Sequence, residues 1–291
     1  MCKIFTTLSK DESLKSFLIL ASLVTTIQST FAGHSYYPQS FQDSVERRDL
    51  QDEELREKLK RILTSTHQKR SGSADTLGCR SGSGDCYSHV NLGYKNARKH
   101  MFGDPKLGHL KKDGSTHYIV DVYCHKKFTT SRETGKIGPM SIPNSNVINC
   151  EHTWPQSKFT GSDSRFQKSD LNHLFPTDSR ANGTRGNHNF GEVTNGREPA
   201  VNCKASSYGN SRRLFQPPTV HQGNVARAMF YFAVRYNGKI SNDMERILKK
   251  WHLEDPVDDA ERMRNEGVYL AQKNRNPFID YPELVDFIGD L

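Results

Sequence analysis

Four stretches of the 291-residue chain show hydrophobic patterning strong enough to predict elements. Ser16 to Ala32 is a largely apolar run preceded by Lys3, Lys10 and Lys15, too short for a transmembrane helix and ending in Thr30-Phe31-Ala32, which suits a signal peptidase. Residues 44–67 are highly charged, but Leu55, Leu59, Ile62 and Leu63 fall on one helical stripe. Asn224 to Tyr236 carries the broadest apolar face, with Val225, Ala226, Met229, Phe230, Phe232 and Ala233, closed by Asn237-Gly238. Asn242 with Glu245 reads as a capping box opening a helix through Met244, Ile247, Leu248 and Trp251. Asp255-Pro256 then predicts a third helix, running to about Lys273.

Between these lies a more polar region. Residues 70–88 are rich in Gly and Ser, and Cys79 and Cys86 predict a loop pinned by a short disulfide. Tyr94 to Phe102 predicts a short helix, and Asp113-Gly114-Ser115 a turn. His117 to Tyr123 alternates and branches like a strand. A polar loop over 129–146 leads to Val147 and Ile148, a second strand that enters Cys150-Glu151-His152. The expected organisation is an export signal over 1–32, an N-terminal helical and loop region over 33–90, and one catalytic domain over 91–291.

Composition narrows the class. Hydrophobic residues make up 34% and the mean hydropathy is -0.75, so long surface loops are expected, while 10% aromatics keep the chain out of the disordered range. The net charge is +8, or +7 once residues 1–32 are removed with their three lysines and two acids. That excess points to an acidic partner, nucleic acid first, although a generic basic surface would give the same number. Five cysteines remain after export, an odd number for an oxidising compartment. The pairing expected is Cys79–Cys86 and Cys124–Cys150, with Cys203 left over.

Candidate chemistry concentrates in residues 148–190, which hold three His, five Asn, three Asp, one Glu and a single Cys. Oxygen and nitrogen donors in this mix suit a hard divalent cation and a general base, and one Cys argues against a thiolate zinc site. Glu151 and His152 are adjacent in an extended segment, so one can help hold a metal while the other reaches a water. A phosphodiester repels anionic nucleophiles, and its hydrolysis needs such a base, such a cation and a donor to the leaving oxygen. No His-Glu-x-x-His is present, which weakens a zinc-peptidase reading.

Glu151-His-Thr-Trp-Pro155, Asp170-Leu-Asn-His-Leu-Phe-Pro176 and Asn182-Gly-Thr-Arg-Gly-Asn187 together resemble the endonuclease I family of secreted and periplasmic bacterial nucleases. Val225-Ala-Arg227 and Gln272-Lys-Asn-Arg-Asn-Pro-Phe278 extend the resemblance over Tyr94 to Phe278. It implies an α+β fold with a ββα-metal (His-Me finger) core and a largely helical C-terminal half. His152 would be the general base, and Glu151 and Asn187 the protein ligands of Mg²⁺, with Asn187 on the finger's helix. It further implies a secreted or periplasmic, largely sequence-nonspecific endonuclease acting on DNA and often RNA, leaving 5′-phosphates. Such a protein is expected to be monomeric, without membrane attachment once the signal is gone. The segment between Ser157 and Asp170 lacks the disulfide-linked insert of some relatives, so no phosphate-binding arginine transfers from it.

Other positions keep two readings. Arg185 either binds phosphate or pairs with a carboxylate, and Arg227, a charge on an apolar helix, needs either a partner or a substrate phosphate. Trp154 either stacks a base or fills core. His173 and Asp170 read as structural supports. Asn182-Gly-Thr184 reads as a turn rather than a glycosylated sequon, and 274–277 as a loop closing on the core. The rival from another class is an extracellular protein that binds nucleic acid without cutting it.

Overall fold

The computed structural model describes residues 34–80, 82–209 and 213–291. The export segment expected over 1–32 lies outside them. Near the N-terminus, α1 (Gln39–Arg47) and α2 (Asp52–Thr64) are followed by a small sheet in which β1 (His67–Gln68) pairs with both β2 (Thr76–Leu77) and β3 (Cys86–Tyr87). The predicted stripe of α2 is the buried face: Leu55, Leu59, Ile62 and Leu63 are all within 1% of full burial. They join a core completed by the long helix over Thr219–Tyr236.

Next come α3 (Tyr94–Gly103) and the three-stranded antiparallel sheet β4 (Leu110–Asp113), β5 (Thr116–Val120) and β6 (Lys127–Thr129). β5 stops earlier than the alternation predicts. The buried Asp121 carboxylate accepts from the amides of Tyr123, Cys124, Lys126 and Asp178, which turns the chain.

β7 (Ile148–His152) follows, then α4 (Ser164–Ser169), β8 (Leu174–Asp178) and α5 (Ser179–Arg185). β7 and β8 form an antiparallel ribbon, in which Glu151 faces Phe175 and His152 faces Leu174. β8 contains Pro176, whose ring would interrupt a central strand. Here its carbonyl accepts from Val122 on the side away from β7, so the missing N–H costs no ladder bond. Asp178 caps α5 by accepting from the amides of Arg180 and Ala181, and its carboxylate also meets Lys126 at 2.8 Å.

β9 (Asn189–Phe190), β10 (Ser207–Gly209) and β11 (Leu214–Gln216) build a further small sheet. The helical part follows as α6 (Thr219–Tyr236), α7 (Asn242–Glu254), α8 (Asp259–Gln272) and the short α9 (Pro277–Asp280). Two details differ from the sequence reading. Ser241, not Asn242, stands at the N-cap of α7, and no side chain caps that helix. α8 begins at Asp259 with Asp258 as its cap, while Asp255 instead accepts from the amide of Gly223 on α6.

Alternation along β7 sends its side chains to two places. Ile148 and Cys150 enter a second core with Ala97, Met101, Leu107, Ile119 and Leu174. Glu151 faces Tyr123 of the first core. That split decides the cysteines. Cys79 pairs with Cys86 as expected, but Cys124 pairs with Cys203, and Cys150 is a buried free thiol. The expected Cys124–Cys150 bond fails because Cys150 points into the second core, whereas Cys124 sits on the Asp121 turn. Mixed helices and small sheets make the architecture α+β. Among the described residues no helix is long and apolar enough to cross a membrane.

Candidate active site

A cleft of about 430 Å³ opens where β7 ends and α5 finishes, lined by Glu151, His152, Gln156, Ser157, Asn182, Arg185 and Asn187 among others. The ribbon, the Pro155 turn and the end of α5 therefore bring four predicted site residues, Glu151, His152, Arg185 and Asn187, to one place. His152 is 6% exposed. Its Nε2 lies 3.1 Å from the Lys168 carbonyl, an acceptor, so Nε2 carries the proton and Nδ1 keeps its lone pair. Gln156 approaches that Nδ1 from the cleft at 3.4 Å. Burial first, then the neighbouring His173, push the His152 pKa down to about 3, which keeps the ring neutral.

Glu151 is 2% exposed, and its Oε1 accepts from the Tyr123 hydroxyl at 2.8 Å and meets Arg185 Nη1 at 2.9 Å. Burial raises its pKa and Arg185 opposes that shift. Both of these contacts fall on Oε1. Asn187 is exposed and stands in the turn after α5, not on the helix as expected. The helix ends at Arg185, and Gly186 takes φ 49° and ψ -115°, a glycine conformation that swings Asn187 back along the cleft wall. An exposed amide, a carboxylate on the same cleft wall and space for water match the few-ligand oxygen set of a hard divalent cation. Among the described residues no three His, Cys, Asp or Glu side chains converge, so a closed zinc cage has no donors.

The other predicted residues serve the frame. Arg185 is 1% exposed: besides Glu151, its Nη1 donates to the His152 carbonyl at 3.0 Å and its Nη2 to the Thr153 carbonyl at 2.6 Å, and it stacks on Phe190. These contacts hold its guanidinium at the cleft floor. Arg227 is 0% exposed and lies away from the cleft, ion-paired to Glu261 and donating to the Asp255 carbonyl, so it ties α6 to α8. Trp154 is core: its indole stacks on Phe232 with centroids 4.7 Å apart, and a Cβ on Gly238 would sit 2.6 Å from the ring. Asn182 is on α5 rather than in a turn, and its amide donates to Asn149 Oδ1 at 2.7 Å.

His173 supports His152 from behind, with ring centroids 5.4 Å apart and its Nε2 on the Gln167 carbonyl. Asp170 is fully buried and accepts from Tyr231, Tyr236 and Gln272. Asn274, Arg275 and Asn276 are buried, and Asn274 joins this cluster through Gln272 and Tyr231. Sequence reasoning missed Tyr123, which holds Glu151, and Gln156, which faces His152. Gln156 stood one residue beyond the Glu-His-Thr-Trp-Pro run, whereas nothing in the pattern marked Tyr123 beyond its place at the end of a strand.

The Endonuclease I family model matches residues 51–283, most of the described chain. The chain belongs to the endonuclease I family. It is 31% identical over 221 residues to the extracellular ribonuclease of Bacillus subtilis (strain 168), a match covering 69% of each protein. The extracellular ribonuclease of Bacillus amyloliquefaciens matches to the same extent. A periplasmic deoxyribonuclease of Aeromonas hydrophila is 27% identical over 125 residues, 42% of this chain and 53% of that one. Relatives of this endonuclease I chain thus bear names for action on RNA and on DNA.

Proposed function

We propose that this family member is an exported, Mg²⁺-dependent, largely sequence-nonspecific endonuclease that hydrolyses DNA and RNA phosphodiesters to 5′-phosphate products. We read β7, β8 and α5 as the ββα-metal finger. The observation that carries the proposal is the state of His152: a neutral ring, its Nε2–H fixed on a carbonyl and its Nδ1 lone pair facing a cleft shared with Glu151 and Asn187. Export fits the disulfides and the extracellular and periplasmic relatives.

In this mechanism His152 Nδ1 takes a proton from a water as that water's oxygen bonds to phosphorus, and the bond to the 3′-oxygen breaks as that oxygen takes a proton from a second water in the cleft. The Lys168 carbonyl keeps the ring oriented, and His173 prevents it from turning away. Glu151 and Asn187 would hold the divalent cation, which supplies charge neutralisation at the phosphate oxygens. Tyr123 and Arg185 keep the Glu151 carboxylate aimed, and the Trp154–Phe232 stack fixes the turn beneath it.

The test is incubation of the purified protein with plasmid DNA and with RNA, with Mg²⁺ and with EDTA. Cleavage of nucleic acid that EDTA abolishes, and that His152→Ala abolishes while binding persists, is expected. Binding without hydrolysis under every metal condition would instead mark a non-catalytic nucleic-acid-binding protein.

A further inference from the structure

On the side of His152 away from Nδ1, its Nε2 meets the Lys168 carbonyl of α4, and α4 packs against α3. These two helices carry Lys95, Arg98, Lys99, Arg165 and Lys168. Among the described residues none of the five pairs with a carboxylate, whereas the buried Arg185, Arg227 and Arg275 each do. Two of them converge on one ring. The Arg98 guanidinium lies 4.6 Å from the Tyr94 centroid and the Lys168 ammonium 4.9 Å from it. Tyr94 in turn contacts His152, with ring centroids 5.5 Å apart. Arg98 Nε is buried and lacks an acceptor.

Two cations on one aromatic ring repel each other, and with neither paired to a carboxylate the arrangement attracts an anion from outside. The cations stand one tyrosine ring beyond His152, too far out for the phosphate attacked there. We propose that Tyr94, Arg98 and Lys168 clamp the backbone phosphate next to the scissile one, with Lys95, Lys99 and Arg165 continuing the strand's path along α3 and α4. This rests on the nuclease reading above and adds to it the side on which the strand runs. Tyr94 is then a platform for cations rather than for a base, so the clamp reads charge spacing and not sequence.

The experiment measures binding of single-stranded oligonucleotides across a salt series in the His152→Ala background. Arg98→Ala and Lys168→Ala should each lower the slope of log K against log salt, and the double variant by about 0.7, the single-strand value for the one phosphate they share. Arg98→Lys should keep the slope, and so should Arg61→Ala, which removes an exposed charge from α2. With an intact His152, the alanine variants should raise KM for oligonucleotides and largely spare kcat. Unchanged slopes, or an equal fall with Arg61→Ala, overturn the clamp. So does a kcat loss on a dinucleoside monophosphate as large as on an oligonucleotide, since the short substrate has no neighbouring phosphate. If the parent protein cuts nothing, the nuclease reading fails by itself and the salt slopes still decide the clamp.

Discussion

Arg185→Met tests whether this arginine serves the frame or the substrate. The change removes the guanidinium and keeps the aliphatic stem that packs on Phe190. It leaves the buried Glu151 carboxylate with only the Tyr123 hydroxyl, and it strips the His152 and Thr153 carbonyls of their donor. Stranding one partner of a buried ion pair costs about 3–5 kcal/mol. At about 2–4 °C per kcal/mol for a domain of this size, the thermal midpoint should fall by roughly 10 °C. In the Glu151→Gln background no carboxylate is stranded, and about 1–3 kcal/mol should remain, from the orphaned carbonyls. Urea unfolding of the four proteins in a double-mutant cycle gives the coupling directly, expected near 2 kcal/mol. A cost under about 1 kcal/mol that is the same in both backgrounds, together with a raised KM for nucleic acid, would refute the argument and make Arg185 a phosphate ligand.

Stability should also depend on pH in the mildly acidic range. Burial pushes His89, His173 and His252 down to about 4 and His221 to about 3. The unfolded chain binds protons at these positions near pH 6.5 and the folded chain does not, so stability is full above that value and falls as pH drops toward 4. A urea midpoint that stays flat between pH 7 and 4.5 would contradict this. For the cysteines, peptide mapping without reductant should find Cys124 and Cys203 in one linked fragment and Cys150 alkylated only after unfolding. The chain-entropy relation assigns about 4.5 kcal/mol to the 79-residue separation of Cys124–Cys203 and about 2.4 to the 7-residue separation of Cys79–Cys86. Cys203→Ser should therefore lower the unfolding free energy more than Cys86→Ser.

Periodic segments were legible because burial writes itself into spacing: the stripe of α2 and the broad face of α6 are the faces that pack. Boundaries were less so. Thr219 to Gly223 extend α6 although Val220 is exposed and a glycine interrupts the run, because Pro218 presets the turn that starts it. α1 escaped notice because Phe41 alone is buried along it. β8 was missed since Pro176 argues against a strand unless one knows which edge is free. The grouping of Glu151, His152 and Asn187 around one cleft followed from motif order. Their supports did not, because Tyr123, Lys168 and Gln272 arrive from far along the chain or act through backbone atoms. The two arginines show the limit most clearly, since a charge in an apolar pattern signals that a partner exists and does not name it.

Asp170 stands just ahead of β8, yet the groups that saturate its carboxylate are Tyr231, Tyr236 and Gln272, the last of which also binds the Leu171 amide and Asn274. A growing chain that already contains His152 and the whole of β7 and β8 thus carries a carboxylate whose side-chain partners are made later, Gln272 being 102 residues on. The groups that hold Glu151 and His152 are by then already present, since Tyr123, Lys168, His173 and Arg185 all precede β9. A cell assembling such a protein completes the walls of the cleft early and the support behind Asp170 late.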